Sequence, residues 1–352
     1  MIMAGGAGKR LWPMSQPGQP KQLIPFLHGG QCLLDLAAAR VQGLVASERL
    51  LICTGEAYRA PILDRLKEWT SECILGEPEG RDTLNAVGFT AAVLAKTDPD
   101  AIFAVLTADH VIEPVDVFQQ HLETGFALIE DDPRRIVTFG ITPTFPATGF
   151  GYVETGDAIS EHDGAFLAKR FVEKPDEATA QSYLDAGTFT WNSGMFIFHA
   201  ATVLEDIRRH HPDAAAGLEQ IARAWGTPQQ DEVLQRVYPT LPKTSIDFGI
   251  MEPVSSEGAG RICVVPMELT WLDVGSWPAF GDTLSADSNG NRGMGRRWVV
   301  DSTNTLVVSD DPDHKIAVIG IDDAVIVHTS GQTLVCHKDH AQKVKDAADA
   351  SF

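Results

Sequence analysis

The first residues of the chain combine glycines with two adjacent cations in a pattern suited to binding phosphate. Gly5, Gly6 and Gly8 follow a very short apolar run, and Lys9 and Arg10 come directly after them. Glycine lets the backbone turn tightly and approach a ligand closely because it has no Cβ. Successive free N–H groups in such a turn form a concavity that binds anions. The stretch therefore predicts a nucleotide phosphate loop, with an ordinary strand-to-helix connection as the alternative.

Two better-known phosphate loops do not fit this stretch. A P-loop requires a glycine, four further residues and then Gly-Lys-Ser/Thr, but here Gly8-Lys9 is followed by Arg10. A dinucleotide-binding fingerprint requires Gly-x-Gly-x-x-Gly, and Leu11 occupies the position of its third glycine. The predicted phosphate loop is therefore of another kind.

Two aspartates stand in local sequences suited to a divalent cation. Asp109 comes just after the apolar run 101–106, and Asp273 lies between two tryptophans in a turn-like stretch. Mg²⁺ prefers oxygen ligands and commonly takes one or two protein carboxylates. Taken alone, Asp109 could equally cap a helix and Asp273 could equally form a turn. We expect His110, beside Asp109, to be structural.

Charge and composition limit the possible ligands. The formal net charge of −20 argues against nucleic-acid binding, which needs a basic face. An acidic protein that binds a polyphosphate must gather its cations locally or recruit a metal, because like charges repel. The five cysteines are scattered with no Cys-x-x-Cys, which predicts reduced, mostly buried thiols. No apolar run of membrane-spanning length and no signal-peptide pattern is present, so we expect a cytoplasmic protein.

The order of apolar and amphipathic stretches predicts an α/β fold. Strand-like and helix-like patterns alternate through the first half, as in the run 101–106 between the helical patterns 81–96 and 115–129. Such alternation favours a mostly parallel sheet with helices on both faces. The polar segment 285–295 is predicted to be a linker. Short strands at even spacing after it indicate a small β domain or β-solenoid, and a polar helix over 340–350 closes the chain.

Taken together, the motifs resemble those of the GDP-mannose pyrophosphorylases, or mannose-1-phosphate guanylyltransferases, within the sugar-phosphate nucleotidyltransferases. Gly-Gly-x-Gly-x-Arg-Leu-x-Pro is shared by all sugar nucleotidyltransferases. Leu-Trp-Pro, Gly-Arg-Asp-Thr and Trp-Asn-Ser-Gly-Met-Phe are typical of the branch that uses mannose and GTP. The matching stretches stand in order over nearly the whole chain: 4–13, 20–23, 77–83, 106–110, 149–152, 171–176, 191–196, 245–248 and 271–277.

The resemblance implies a fold and a reaction. Residues 1–284 would form a Rossmann-like mixed, mostly parallel sheet flanked by helices, the nucleotide-diphospho-sugar transferase fold. Residues 285–352 would form a small left-handed β-helix-like domain with a terminal helix. Mannose 1-phosphate would attack the α-phosphorus of GTP in line, leaving GDP-mannose and diphosphate. Mg²⁺ would be the cofactor, and a homodimer is the expected assembly.

The resemblance also assigns roles to individual residues. The catalytic set would be Arg10, Lys21, Asp109 and Asp273, with the two aspartates as metal ligands and Arg10 stabilising charge at the α-phosphorus. The nucleotide would be bound by Ala4, Gly5, Gly6, Gly8, Arg10, Arg81, Asp82, Thr83 and Asp109. The sugar phosphate would be bound by Gly151, Glu173, Lys174, Asn192 and Asp247.

The chain departs from the family pattern at a few positions beside these motifs. Thr107 stands where the family commonly has proline, Gln16 where it has arginine, and Leu84-Asn85 where it has Ala-Pro. These changes bear on base and sugar selectivity more than on catalysis. The alternatives are therefore the same chemistry with another hexose 1-phosphate or nucleotide, and a non-catalytic regulatory paralogue that binds GDP-mannose.

The two ends of the sequence each lead to one expectation. The first apolar run is unusually short, which suggests that the natural start lies upstream. Some relatives carry a cupin-like phosphomannose isomerase domain after the transferase. The chain ends at Phe352, too soon to hold such a domain, so we expect no isomerase activity.

Overall fold

A nine-stranded sheet organises the larger part of the chain in the computed structural model, which describes residues 1–6, 8–25, 30–258 and 260–351. Its strands lie in the spatial order β3 (Ile74–Glu77), β2 (Ile52–Gly55), β1 (Ile2–Met3), β4 (Ile102–Thr107), β9 (Phe189–His199), β6 (Ile136–Ile141), β10 (Ile262–Met267), β8 (Phe166–Val172) and β7 (Tyr152–Ala158).

The sheet is mixed rather than mostly parallel in its pairings. β3, β2, β1 and β4 pair in parallel, as does β6 with β10, whereas β8 and β9 pair antiparallel to their neighbours. The prediction of parallel pairing is confirmed for the first four strands. Beyond them it is wrong for every pair except β6–β10. β9 runs antiparallel to β4 and β6, and the short connection between β7 and β8 forces an antiparallel pair.

Helices cover both faces of the sheet, as predicted. The buried side chains of α3, α6, α7 and α8 share one core with the strands, and those of α4 and α5 share another. The helices are α1 (Leu33–Ala39), α2 (Arg59–Arg65), α3 (Thr83–Thr97), α4 (Val115–Asp131), α5 (Glu177–Ala186), α6 (Ala200–His210), α7 (Pro212–Ala224), α8 (Gln230–Val237), α9 (Glu252–Ser256), α10 (Trp277–Asp282) and α11 (Val344–Ser351).

The order of the strands creates a crevice at one edge of the sheet. From β1 the chain moves outward to β2 and β3, and β4 then returns to the other side of β1. Ligands of such sheets bind beyond the carboxyl ends of the strands at this reversal. A two-stranded ribbon adjoins the crevice, formed by β5 (His110–Glu113) and β11 (Thr270–Asp273), with His110 opposite Asp273.

The last part of the chain is a small β domain. Parallel pairs recur from β12 (Arg292–Met294) to β14 (Leu306–Ser309) to β16 (Ala324–Thr329), and β17 (Gln332–His337) adds an antiparallel strand. The second layer pairs β13 (Arg296–Val300) with β15 (Lys315–Ile319). The prediction of a linker over 285–295 is wrong for the last residues of this range, because β12 lies within it. The polarity of that segment concealed a strand whose backbone pairs with β14.

The cysteines and the lengths of the helices bear on two further expectations from the sequence. All five cysteines are free thiols, three of them buried. None of the helices in the described part of the chain has the length and apolar character that crossing a bilayer requires.

The β domain is packed onto the segment that follows the glycine loop of Gly5, Gly6 and Gly8. Leu11, Trp12 and Met14 share one buried core with α10 and α11 and with the inner strands of the domain. The indole N–H of Trp277, at the start of α10, donates to the carbonyl of Trp12 at 2.8 Å. The position of the glycine loop therefore depends on the packing of the last quarter of the chain.

We predict that Trp277→Phe lowers the free energy of unfolding by about 1–3 kcal/mol, because it leaves the buried Trp12 carbonyl without its donor. Trp277 is 0% exposed, whereas Trp298 on β13 is 66% exposed. The same substitution at Trp298 is the matched control and is expected to change the free energy by no more than about 0.5 kcal/mol. Urea unfolding followed by circular dichroism measures both; equal losses would contradict the packing described.

Candidate functional site

A cavity of about 530 Å³ opens at the crevice described above. It brings together residues from the carboxyl ends of β1, β3 and β4, the start of β9, and the β5–β11 ribbon. Ten residues predicted from the sequence to form the site line this one cavity: Gly5, Gly6, Asp82, Thr83, Asp109, Gly151, Glu173, Asn192, Asp247 and Asp273.

One end of the cavity lies at the end of β3 and the start of α3. Glu77, the last residue of β3, is buried there and accepts a hydrogen bond from the Tyr238 hydroxyl at 2.6 Å. Burial raises the pKa of the Glu77 carboxyl. α3 begins at Thr83 rather than at 81, because Asp82 has a φ of 65° and caps the helix by accepting from the Thr83 N–H.

The β5–β11 ribbon sets Asp273 beside Asp109 in the middle of the cavity. Asp273 stands opposite His110 in the ribbon, and the Val274 N–H donates to the Asp109 carbonyl at 3.1 Å. One ligand atom each from Asp109, His110 and Asp273 lies within 4.8 Å of the other two. Residues distant in sequence thus form a cluster able to hold a cation.

Lys21 neutralises one carboxylate of this cluster. Its ammonium lies 2.5 Å from Asp109 Oδ2, and the lysine is buried. Burial alone would raise the pKa of Asp109, but the Lys21 charge lowers it to about 2. Gly8 makes room for Lys21: a Cβ on Gly8 would stand 2.6 Å from the Lys21 Cβ, and the φ of Gly8 is +63°. The glycine loop and the acidic cluster are therefore packed against each other.

The donor set of this cluster fits Mg²⁺ through the two carboxylates. Asp109 Oδ1 and Asp273 Oδ1 lie 3.7 and 4.0 Å from His110 Nε2, and Lys21 pairs with the other oxygen of Asp109. Hard oxygen donors of this kind suit Mg²⁺.

His110 is bound in a way that keeps it from being a metal ligand. The Trp271 indole, which can only donate, gives a hydrogen bond to His110 Nδ1 at 3.1 Å. The Thr107 hydroxyl lies 2.6 Å from the same nitrogen. With Nδ1 accepting, the proton of the neutral ring is on Nε2, and it points at the two carboxylates. Burial lowers the pKa of His110, which favours this neutral form.

The other end of the cavity is a hydrogen-bonded group of polar side chains. The Asn192 amide donates to Asp247 Oδ1 at 2.8 Å, and its carbonyl accepts from the Thr138 hydroxyl at 2.8 Å. Glu173 comes so close to the backbone at residue 151 that only glycine fits there, since a Cβ on Gly151 would stand 2.5 Å from Glu173 Oε2. Glu173 forms an ion pair with Lys174 at the same end.

Six of the predicted residues do not line the cavity. Arg10 Nη1 donates to Gln342 Oε1 at 3.0 Å, so its guanidinium points at the segment before α11. Arg81 pairs with Glu79 at 3.1 Å. Lys174 lies over the Phe248 ring, and the Ala4 carbonyl is used to anchor the loop, accepting from Gln22 and Thr54. Lys21 and Gly8 also stand behind the lining, in the contacts given above.

Sequence reasoning missed several residues that do line the cavity: Glu77, Lys243, Phe150 and Trp271. Glu77, Phe150 and Trp271 lie within motifs that carried the resemblance, so their place in those motifs was the available signal. Phe150 and Trp271 pack edge to face with centroids 5.4 Å apart. Lys243 lies outside every motif, and nothing in the sequence marked it.

Comparisons with known proteins show the family to which the chain belongs. Residues 1–290 match the Nucleotidyl transferase family, and residues 295–349 match the MannoseP isomerase/GMP-like beta-helix domain. A mannose-1-phosphate guanylyltransferase of Escherichia coli is 34% identical over 353 residues, which cover 99% of this chain and 73% of that protein. Xanthan biosynthesis protein XanB of Xanthomonas campestris is 35% identical, covering 98% of this chain and 71% of the relative.

A solved structure extends the likeness to the fold of the whole chain. A crystal structure from Thermus thermophilus, described as a mannose-1-phosphate geranyltransferase, superposes with a TM-score of 0.86 at 32% identity and covers 99% of this chain and 98% of its own. The chain belongs to the nucleotidyl transferase family, as a homologue of mannose-1-phosphate guanylyltransferases with a C-terminal β-helix-like domain.

Proposed function

We propose that the protein is a mannose-1-phosphate guanylyltransferase, which converts GTP and α-D-mannose 1-phosphate to GDP-mannose and diphosphate. The observation that carries the proposal is the position of Asp109 and Asp273. They line one cavity together with the glycine loop, with Glu77 at its β3 end and Asn192 at its β9 end. The names of the relatives point to the same reaction.

The proposed reaction needs little covalent chemistry from the protein. A sugar phosphate is largely a dianion at neutral pH, since its second pKa is about 6, so its oxygen needs no general base. Transfer then depends on holding the nucleophile and the α-phosphorus in line and on neutralising charge. Asp109 Oδ1 and Asp273 Oδ1 would hold Mg²⁺, which when bound screens the phosphate oxygens from the nucleophile.

The cations of the chain would provide the remaining neutralisation. Gly5 and Gly6 line the same cavity as the two aspartates, and Lys21 is paired with Asp109 from behind the lining. Arg10 Nη2 passes 3.2 Å from the point where a Cβ on Gly275 would stand, close to Asp273. A turn of the Arg10 side chain away from Gln342 would bring its guanidinium to the phosphates. Lys174 would contact the sugar phosphate.

Glu77 is our candidate for selecting guanine. A purine in the β3 end of the cavity, near Arg81, Asp82 and Thr83, would place its edge against this buried carboxylate. Guanine offers two donors on that edge, N1–H and the N2 amino group. A carboxylate accepts two such bonds, whereas adenine has no donor at N1. Tyr238 fixes the carboxylate by donating to Oε1.

Asp247 is our candidate for a protonated carboxyl at the sugar end. Burial, followed by the nearby Glu173 charge, raises the pKa of Asp247 from 3.8 to about 7. With Asp247 neutral, the site can give a hydrogen bond to a sugar hydroxyl and avoids placing two adjacent carboxylates opposite an anionic substrate. Asn192 and Glu173 would complete the contacts to the hydroxyls.

Activity is tested by measuring diphosphate release and product mass with GTP, mannose 1-phosphate and Mg²⁺, against a panel of other hexose 1-phosphates and nucleoside triphosphates. We expect GDP-mannose as the preferred product.

Asp273→Asn removes one metal carboxylate and should lower kcat/KM by about 10²–10⁴-fold, as loss of a charge-stabilising group does. The exposed Asp157→Asn is the control. No turnover in wild type, or wild-type rates in Asp273→Asn, would contradict the proposal.

Base selection is tested with Glu77→Gln. The amide turns a donor toward N1–H and the amino group of guanine, so kcat/KM for GTP should fall by about 10- to 100-fold, equivalent to a lost hydrogen bond to a charged acceptor. The rate with ATP should change much less, and the exposed Glu68→Gln should leave both unchanged. A GTP/ATP ratio equal to that of wild type would rule out Glu77 as the base-selecting residue.

The protonation of Asp247 is tested through stability. Because its folded pKa lies above 3.8, wild type loses stability as pH rises from about 4 through about 7. Asp247→Asn has no charge to bury, so its Tm relative to wild type should rise over this window, by about 2–4 °C for each kcal/mol. Scanning calorimetry at several pH values, with Asp163→Asn as control, measures the difference. A constant difference at every pH would exclude a raised pKa.

A further inference from the structure

We propose that Asp311, His314 and His328 in the C-terminal β domain form a second metal site, which takes a transition metal such as Zn²⁺. One ligand atom from each residue lies within 4.8 Å of the other two. Asp311 and His314 lie in the connection between β14 and β15, and His328 lies on β16. The site therefore joins a loop to the strand beside it.

The backbone around Asp311 is held in place before any metal binds. The Asp311 N–H donates to Ser309 Oγ at 3.2 Å, and Ser309 is the register partner of His328 across β14 and β16. The Asp313 N–H donates to Asp311 Oδ1 at 2.9 Å. These bonds fix the turn and leave Asp311 Oδ2 as the oxygen offered to a cation.

His328 is oriented by the next strand. Thr333 on β17 is its cross-strand partner, and the Thr333 hydroxyl lies 2.9 Å from His328 Nδ1. When Nδ1–H donates to that hydroxyl, the lone pair of the neutral ring is on Nε2, the form that binds metals. The His314 ring stacks face to face on His328, with centroids 3.7 Å apart and planes 17° apart, so the two imidazoles are already in contact.

The ligand set and its spacing favour zinc over magnesium. Zn²⁺ binds nitrogen at about 2.0–2.1 Å in a tetrahedral arrangement, so two of its ligand atoms stand about 3.4 Å apart. The three atoms need to close by little more than about 1 Å from the observed spread. The His314 ring must also turn out of its stack on His328, so that its in-plane lone pair meets the same ion. Two imidazoles and a carboxylate suit zinc and its neighbours, whereas Mg²⁺ prefers oxygen ligands throughout.

Local charge supports a cation at this place. Asp310, Asp311 and Asp313 stand within four residues of one another. A divalent ion would compensate this charge and fix the β14–β15 connection to β16. None of the three proposed ligands is among the residues that line the nucleotide cavity, so the site and the proposed function can fail independently.

The test measures zinc binding to the full chain without a histidine tag, by competition with a chromophoric chelator. Millimolar Mg²⁺ is present to occupy the carboxylates of Asp109 and Asp273. We expect one Zn²⁺ per chain and, with Co²⁺ in its place, the intense visible absorption of a tetrahedral site. The double variant His314→Ala/His328→Ala should lose both. Thr333→Val should weaken zinc binding by about 10- to 100-fold, as loss of a group that orients a ligand does.

The matched control is His337→Ala/His340→Ala, which removes two histidines whose rings lie 6.3 Å apart in the same part of the chain. This control should bind zinc like wild type. Transferase activity, measured with and without chelator, should be retained in all variants and reports that they are folded. Equal zinc affinity in wild type and in His314→Ala/His328→Ala, or loss of binding in the control alone, would overturn the proposal.

Discussion

The repulsion between two carboxylates is the constraint around which the site is built. Asp109 and Asp273 offer oxygens within 4.8 Å of each other, and like charges at that distance repel by about 3 kcal/mol at an effective dielectric of about 20. The two carboxylates stay close despite this repulsion because the β5–β11 ribbon fixes their positions and Lys21 neutralises one of them. A pair held in this way attracts a divalent cation, and a divalent cation attracts polyphosphate.

The order of the strands places different residues on the two sides of this acidic centre. β3 places Glu77 on one side, β1 and β4 place the glycine loop and Asp109 in the middle, and β9 places Asn192 on the other side. Base, phosphates and sugar can then lie in sequence along one sheet edge. The C-terminal domain contributes from outside the cavity, by burying Leu11 and Trp12 and by holding Arg10 through Gln342.

Local signals in the sequence predicted what depends on local structure. The glycine loop, the amphipathic helices and the short strands of the last domain all follow from periodicity and turn residues. Ten of the predicted site residues line one cavity. Periodicity could not predict the insertion of β9 between β4 and β6, the pairing that brings Asp273 to Asp109, or the contact of Arg10 with Gln342. Each is a pairing between distant parts of the chain, and the residues involved carry no local mark of their partner.

The most direct test of this account is a crystal structure of the protein with GDP-mannose and Mg²⁺. The account predicts Mg²⁺ between Asp109 Oδ1 and Asp273 Oδ1, with Lys21 and Arg10 at the phosphates. It places guanine against Glu77, and mannose beside Asn192, Glu173 and Asp247. A cation bound away from both aspartates, or a nucleotide whose base lies at the β9 end of the cavity, would contradict it.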